Sequence, residues 1–229
     1  MHPVITGISS MATRELLAAL ADAYRERSGV TVALESVGGV DAARRVAAGE
    51  PFDLVVLAAD AIARLAAAGA LVADSVSPLV RSEVAIAVRA GAPRPDVGSE
   101  AALKAAVLAT RRIGHSTGPS GSALLALFER WGLREALQAR IVQAPPGVPV
   151  GALVARGEVE LGFQQLSEMQ TLPGIDVLGT MPPAVAIVTV FSGAVAASSR
   201  QPQATRALLA DLRSPATAEL KRRHGMAPA

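Results

Sequence analysis

The first third of the chain alternates short apolar runs with amphipathic segments at a regular spacing. The runs at residues 4–8, 30–35 and 52–57 predict three strands, and the segment that follows each run predicts a helix. Strands and helices that alternate at this spacing predict right-handed crossovers and a parallel sheet. The sequence therefore predicts an α/β fold.

Small polar residues follow two of these predicted strands. Ser9 and Ser10 end the first strand, and Gly38 and Gly39 follow the second, with Asp41 as a predicted N-cap of the next helix. The carboxyl ends of parallel strands carry the ligand-binding loops of open α/β sheets. We therefore expect these two loops to contribute to a binding site.

A central loop repeats this arrangement. The chain passes from an apolar run ending at His115 through Ser120, Gly121 and Ser122 into a predicted helix, with Ser120 or Ser122 as its N-cap. Such a loop exposes backbone N–H groups at the positive end of a helix dipole. This pattern predicts a receptor for a carboxylate or an oxyanion.

Composition excludes several classes of function. The chain has 229 residues and is 51% hydrophobic and only 3% aromatic. Its net charge is only +2, and its arginines are scattered along the sequence. Because nucleic-acid binding requires a dense basic face, we expect no nucleic-acid partner. It contains no cysteine, and His2, His115 and His224 lack the spacing of a ligand cluster, so we expect neither a metal site nor a cofactor.

The second half of the chain restarts the strand–helix pattern. Residues 78–88 predict a long extended strand, residues 157–165 predict a turn and a strand ending in Gln164 and Gln165, and residues 185–190 and 194–197 predict two more strands. No uncharged run has the character of a membrane span. We expect a periplasmic protein if a leader has been removed, and a cytoplasmic one otherwise.

Several segments, in order along nearly the whole chain, resemble the type II periplasmic binding proteins, most closely the molybdate-binding group. The similar segments are the opening strand with Ser9 and Ser10 and residues 24–30, 44–54, 59–60, 119–121, 151–158, 161–163 and 220–226. The resemblance implies two α/β lobes, each a mostly parallel sheet flanked by helices. Lobe 1 would comprise residues 1–80 and 191–229, and lobe 2 residues 81–190, with two crossing hinge strands near 80–88 and 184–190.

The same resemblance implies that a small anion is clamped between the lobes by hydroxyl and N–H groups. Carried over position by position, the ligand-binding residues are Ser9, Ser10, Gly38, Gly39, Ser120, Gly121, Ser122, Val150 and Gln165.

Two positions depart from the molybdate binders. Where this chain has Gly39 they usually have a serine, and where it has Gln165 they usually have a tyrosine. The segment 162–168 instead resembles a branch that includes aconitate isomerase-like proteins, and this favours an organic carboxylate.

Three functions follow from these patterns. The first is a monomeric solute-binding protein that delivers a small anion to an ABC transporter permease, with Arg14 or Arg111 as a candidate salt bridge to a carboxylate. The second is an isomerase that shifts a double bond in a tricarboxylate, with His115 as the candidate base and Glu35 or Glu168 as alternatives. The third is a cytoplasmic anion sensor.

Overall fold

A computed structural model describes residues 4–229, so the predicted start of lobe 1, with His2, lies outside the described residues. The chain divides into two compact units. Unit 1 contains the chain up to Arg81 together with Val190–Ala229, and unit 2 contains Ser82–Thr189.

The strands and helices alternate along most of the chain. In chain order they are β1 (Val4–Ser10), α1 (Arg14–Ser28), β2 (Thr31–Val37), α2 (Gly39–Ala47), β3 (Leu54–Ala58), α3 (Ala59–Ala67), β4 (Ser77–Arg89), α4 (Glu100–Ala109), β5 (Ile113–His115), α5 (Pro119–Arg130), α6 (Arg134–Leu137), β6 (Ile141–Gln143), α7 (Val150–Ala155), β7 (Leu161–Gln165), α8 (Leu166–Met169), β8 (Ile175–Thr180), β9 (Val188–Val195), α9 (Pro202–Arg213), α10 (Ala218–Arg223) and β10 (Met226–Pro228).

Unit 1 has a sheet in the order β2-β1-β3-β9, in which β1 is parallel to both of its neighbours and β9 is antiparallel to β3. Helix α1 buries Leu16, Leu17, Leu20 and Tyr24, the face that its spacing predicts. They join one apolar cluster of the unit, and Ile8, Val55 and the buried face of α2 join a second. Because parallel strands end at the same edge, the loops after β1 and β2 are neighbours.

Unit 2 has a sheet in the order β4-β7-β5-β6, in which β5 is parallel to β6 and β7. Strand β4 is antiparallel to both β7 and β8. One face packs against α5, where Phe128 meets Phe163 edge to face with ring centroids 6.2 Å apart. The other face packs against α7. The boundaries between the units fall within β4 and within β9.

Several local predictions are wrong. Helix α5 begins at Pro119, after Gly118, so neither Ser120 nor Ser122 is its N-cap, because proline is pre-organised for the first helical position. Helix α2 begins at Gly39, which places Asp41 inside the first turn, where it pairs with Arg44. Residues 188–195 form one strand, β9, and strand β10 was not predicted.

Among residues 4–229, no helix combines the length and the apolar composition needed to cross a membrane.

Candidate functional site

The loops after β1 and β2 meet at one edge of unit 1. The register pairs Ser10 with Val37, and a Cβ atom on Gly39 would lie 3.8 Å from the Ser10 Oγ atom. The Ser10 Oγ atom accepts a hydrogen bond from the Ala12 N–H at 3.3 Å, so its own hydroxyl hydrogen can still be donated. The serine and glycine loops predicted in unit 1 are therefore adjacent.

The start of α2 adds backbone donors to this edge. The N–H groups of Gly39, Val40 and Asp41 precede the first intrahelical bond, which Ala42 makes to Gly38, and have no partner among the described residues. Arg44 pairs with the Asp41 carboxylate. The edge therefore offers uncharged donors at a helix N-terminus.

Ser9 differs from Ser10. Its side chain is fully buried, and its Oγ atom lies 2.8 Å from the Ser36 Oγ atom and 3.4 Å from the carbonyl oxygen of Ser10. The contact with Ser36 joins β1 to β2, so the Ser9 hydroxyl is already engaged within the sheet.

In unit 2 the start of α5 is packed against the end of β5. A Cβ atom on Gly121 would lie 1.9 Å from the Ser116 carbonyl oxygen, so only glycine allows this approach. The Ser120 and Ser116 Oγ atoms are 3.1 Å apart, and the Ser120 N–H has no partner within residues 4–229. The side chain of Ser122, by contrast, is exposed.

His115 ends β5 as a neutral side chain. The Nδ1 atom lies 2.9 Å from the Ser116 carbonyl oxygen, which can only accept, so Nδ1 carries the hydrogen. Burial lowers the pKa of His115, and this bond offsets the effect only in part. The Nε2 atom is therefore an unprotonated acceptor near neutral pH, and it has no partner in the described part of the chain.

The two glutamines that end β7 face opposite sides of the sheet, and β7 lies between β4 and β5 rather than at an edge. The Gln164 Oε1 atom accepts from the Val150 N–H at 2.7 Å, and its Nε2 atom donates to Glu168 at 2.8 Å. The predicted Val150 donor is thus satisfied within the protein. The Gln165 Nε2 atom donates to the Thr189 Oγ1 atom at 2.7 Å.

The predicted charged contributors are engaged elsewhere. Arg14 pairs with Glu15 at 2.8 Å, and Arg111 pairs with Glu160 at 2.6 Å. Glu35 pairs with Arg45, and this hydrogen bond lowers the pKa of the Glu35 carboxyl, which makes it a weaker base than an ordinary glutamate.

Sequence reasoning missed Ser36, Ser116, Ser82 and Thr189. Their only signal was polarity within apolar, β-branched strands or beside a predicted loop. Within the described residues, no group of three His, Cys, Asp or Glu side chains has the geometry of a metal site.

The fold agrees with the comparisons with known proteins. The family model described as bacterial extracellular solute-binding protein matches residues 5–227, and the chain belongs to this family.

An aconitate isomerase from Pseudomonas sp. is 37% identical over 230 residues, which cover 98% of this chain and 87% of the relative.

Two solved structures share the fold. The periplasmic molybdate-binding protein of Azotobacter vinelandii is 19% identical with a TM-score of 0.80, and the alignment covers 97% of this chain and 98% of that one. The sulfate-binding protein SubI from Mycobacterium tuberculosis H37Rv is 20% identical with a TM-score of 0.81, covering 100% and 88%. The chain thus has the type II periplasmic binding protein fold predicted from its sequence.

Proposed function

We propose that this chain binds a small anion, foremost an organic di- or tricarboxylate, in the periplasm and delivers it to an ABC transporter permease. The observation that carries the proposal is a set of uncharged donors that have no partner among residues 4–229: the N–H groups at the starts of α2 and α5. The Ser10 hydroxyl adds a further donor. Membership of the solute-binding family supports the same function.

Neutral donors suffice for this task. Hydrogen bonds to an ionised acceptor are about twice as strong as those between neutral groups, and a helix N-terminus adds a favourable partial charge. Because Arg14 and Arg111 already pair with neighbouring carboxylates, we assign recognition to hydroxyl and N–H groups. That donors of both units contact the same anion stays a prediction from the sequence.

Calorimetric titration with citrate, trans-aconitate, molybdate, tungstate and sulfate tests this proposal. We expect at least one carboxylate to bind, and Ser10→Ala and Ser120→Ala to weaken its affinity by about tenfold each. Ser99→Ala is the matched control, because Ser99 caps α4 and its loss should reduce stability without changing affinity. Absence of binding by every anion would contradict the proposal.

A second candidate function, isomerisation of a tricarboxylate, is favoured by one feature of unit 2. His115 presents an unprotonated Nε2 atom beside the start of α5, and the relative from Pseudomonas sp. bears the name aconitate isomerase. In this reaction Nε2 would remove a proton from a carbon next to a carboxylate, the double bond would shift, and the imidazolium would return the proton to the other end of the allylic system.

Turnover separates the two functions. Protein incubated with trans-aconitate should form cis-aconitate if it is an isomerase, and His115→Gln should abolish turnover while trans-aconitate still binds. A binding protein should show affinity without product. Turnover that survives His115→Gln would exclude His115 as the base.

A further inference from the structure

Three buried polar side chains lie in a row across one face of the sheet in unit 2. His115 pairs with Phe163 in the parallel ladder, and Val84 pairs with Gln165 in the antiparallel ladder. Since side chains alternate between faces with a period of two, Gln165 shares the face of Phe163 and His115, and Ser82 shares that of Val84. We call His115, Gln165 and Ser82 the polar row.

Each member of the polar row has a polar atom without a partner. The Gln165 Oε1 and Ser82 Oγ atoms are buried and make no hydrogen bond to the described residues; the two residues are 4% and 0% exposed. The His115 residue is 4% exposed, and no hydrogen bond of its Nε2 atom is found within residues 4–229. An unsatisfied buried polar atom costs stability and requires an explanation.

The polar row lies on the side of the sheet that α5 covers. Phe163 contacts Phe128 of α5, and the ideal Cβ position of Gly121, in the first turn of α5, is 2.9 Å from the Nδ1 atom of His115. Gln165 and Ser82 occupy diagonal positions on neighbouring strands, a separation of about 7–8 Å that the long side chain of Gln165 can partly span. The row is therefore continuous with the proposed donors at the start of α5.

We propose that the polar row recognises a hydroxyl group of the ligand, so that the bound anion is a hydroxycarboxylate. This inference rests on the proposed binding function. The Oε1 atom of an amide can only accept, whereas a carboxylate offers only acceptors at neutral pH. A ligand hydroxyl does both: it donates to Oε1 of Gln165 and accepts from Oγ of Ser82. Thr189 holds the Gln165 amide by accepting from Nε2 at 2.7 Å.

Two pairs of acids that differ only by a hydroxyl test this inference in calorimetry: citrate against tricarballylate, and malate against succinate. We expect the unsubstituted protein to bind the hydroxy acid of at least one pair about five- to tenfold more tightly, because only the hydroxy acid can make these hydrogen bonds. Gln165→Met should bring this ratio close to one by weakening the hydroxy acid, and Ser82→Ala should reduce it.

Gln201→Met is the matched control, because Gln201 is a glutamine of unit 1 whose Oε1 atom also lacks a partner in the described part of the chain. It should leave the ratio unchanged. Equal affinity for both members of each pair would overturn the hydroxyl inference while leaving anion binding intact. Absence of binding by all four acids, together with the inorganic anions, would overturn both. If Gln165→Met fails to fold, the affinity ratios measured for the unsubstituted protein and for Ser82→Ala still test the hydroxyl inference.

Discussion

The Gln164 Oε1 atom accepts a hydrogen bond from the backbone N–H of Val150 at 2.7 Å, and thereby fastens the first residue of α7 to the end of β7. Both partners are buried, and Val150 has no intrahelical acceptor at this position. Gln164→Leu would leave a buried N–H unsatisfied and should reduce the free energy of unfolding by about 1–3 kcal/mol in urea titrations.

Gln138→Leu provides the control for this substitution, because Gln138 is exposed and makes no side-chain hydrogen bond within the described residues. Its free energy of unfolding should stay within about 0.5 kcal/mol of the unsubstituted protein. Equal losses for the two variants would contradict a capping role for Gln164.

The same bond illustrates which features of the structure the sequence could predict and which it could not. Periodicity and loop composition were sufficient to predict the α/β fold, the buried face of α1 and the placement of Ser10 and Gly39 at neighbouring strand ends. They could not predict which polar atoms the protein itself satisfies. Val150 was predicted to donate to a ligand, whereas Gln164 accepts from it across 14 residues of sequence.

Helix starts were also beyond sequence reasoning, for a physical reason. Serine and aspartate are good N-caps, but Pro119 and Gly39 allow α5 and α2 to begin earlier, and packing against the strand ends decides the outcome. The positions of Ser82 and Thr189 near Gln165 could not be predicted. A single polar residue in an apolar strand does not indicate which residue of a neighbouring strand it lies beside.

Gly121 and Gly118 offer a matched pair in the α5 loop. A methyl group on Gly121 would lie 1.9 Å from the Ser116 carbonyl oxygen, while one on Gly118 would meet nothing within 4 Å. Gly121→Ala should therefore lower the free energy of unfolding by about 1–3 kcal/mol or more, through forced backbone shifts. Gly118→Ala should change stability by less than about 1 kcal/mol. Thermal and urea unfolding of both variants measure this difference, and equal losses would contradict the close approach at Gly121.

Asp53 should make the stability of unit 1 sensitive to acid. Burial alone would raise its pKa, but hydrogen bonds from Thr6, Ser199 and the Arg200 N–H outweigh it and lower the pKa below the ordinary value. Because its pKa is lower in the folded protein, ionised Asp53 stabilises the fold at pH values above about 3.9, the aspartate pKa in the unfolded chain. This stabilisation is lost as pH falls through the folded-state pKa.

Asp53→Asn should thus reduce the free energy of unfolding by about 1–3 kcal/mol at pH 7, because these donors lose a charged acceptor. The difference from the unsubstituted protein should shrink as pH falls below about 4. Chemical denaturation at pH 7, 5, 4 and 3 measures it. If the difference in free energy of unfolding stayed constant across this pH range, the charge of the Asp53 carboxylate would not be the cause of the stabilisation.

Lys221 lines a small cavity in unit 1 with Leu16, Leu20 and Leu212, and its side chain is only 2% exposed. Burial lowers the pKa of its amine. Lys221 is therefore protonated to a greater extent in the unfolded chain than in the folded protein. The free energy of unfolding should rise as pH increases towards about 10.4, the lysine pKa in the unfolded chain. Lys221→Met should raise the melting temperature at pH 7, and this advantage should shrink by about pH 10.

The control is Lys104→Met, which removes a hydrogen bond from Nζ to the Trp131 carbonyl oxygen and should lower the melting temperature. Differential scanning calorimetry of both variants is sufficient. A lower melting temperature for Lys221→Met at pH 7 would show that the buried ammonium stabilises the fold.

His115 should resist protonation at physiological pH, as the isomerase candidate requires. Burial lowers its pKa, and the hydrogen bond to the Ser116 carbonyl oxygen offsets this only partly. Because the pKa of His115 is lower in the folded protein, its contribution to the free energy of unfolding is fully present above about pH 6.5, the histidine pKa in the unfolded chain. The contribution is lost as pH falls from there through the folded-state pKa. His115→Asn retains a side-chain donor and should flatten the loss of stability below about pH 6.5. Urea unfolding measures this slope, and the imidazole NMR resonance of His115 gives the pKa directly. A pKa at or above the ordinary value would contradict the prediction and would remove the unprotonated Nε2 acceptor on which the isomerase candidate depends.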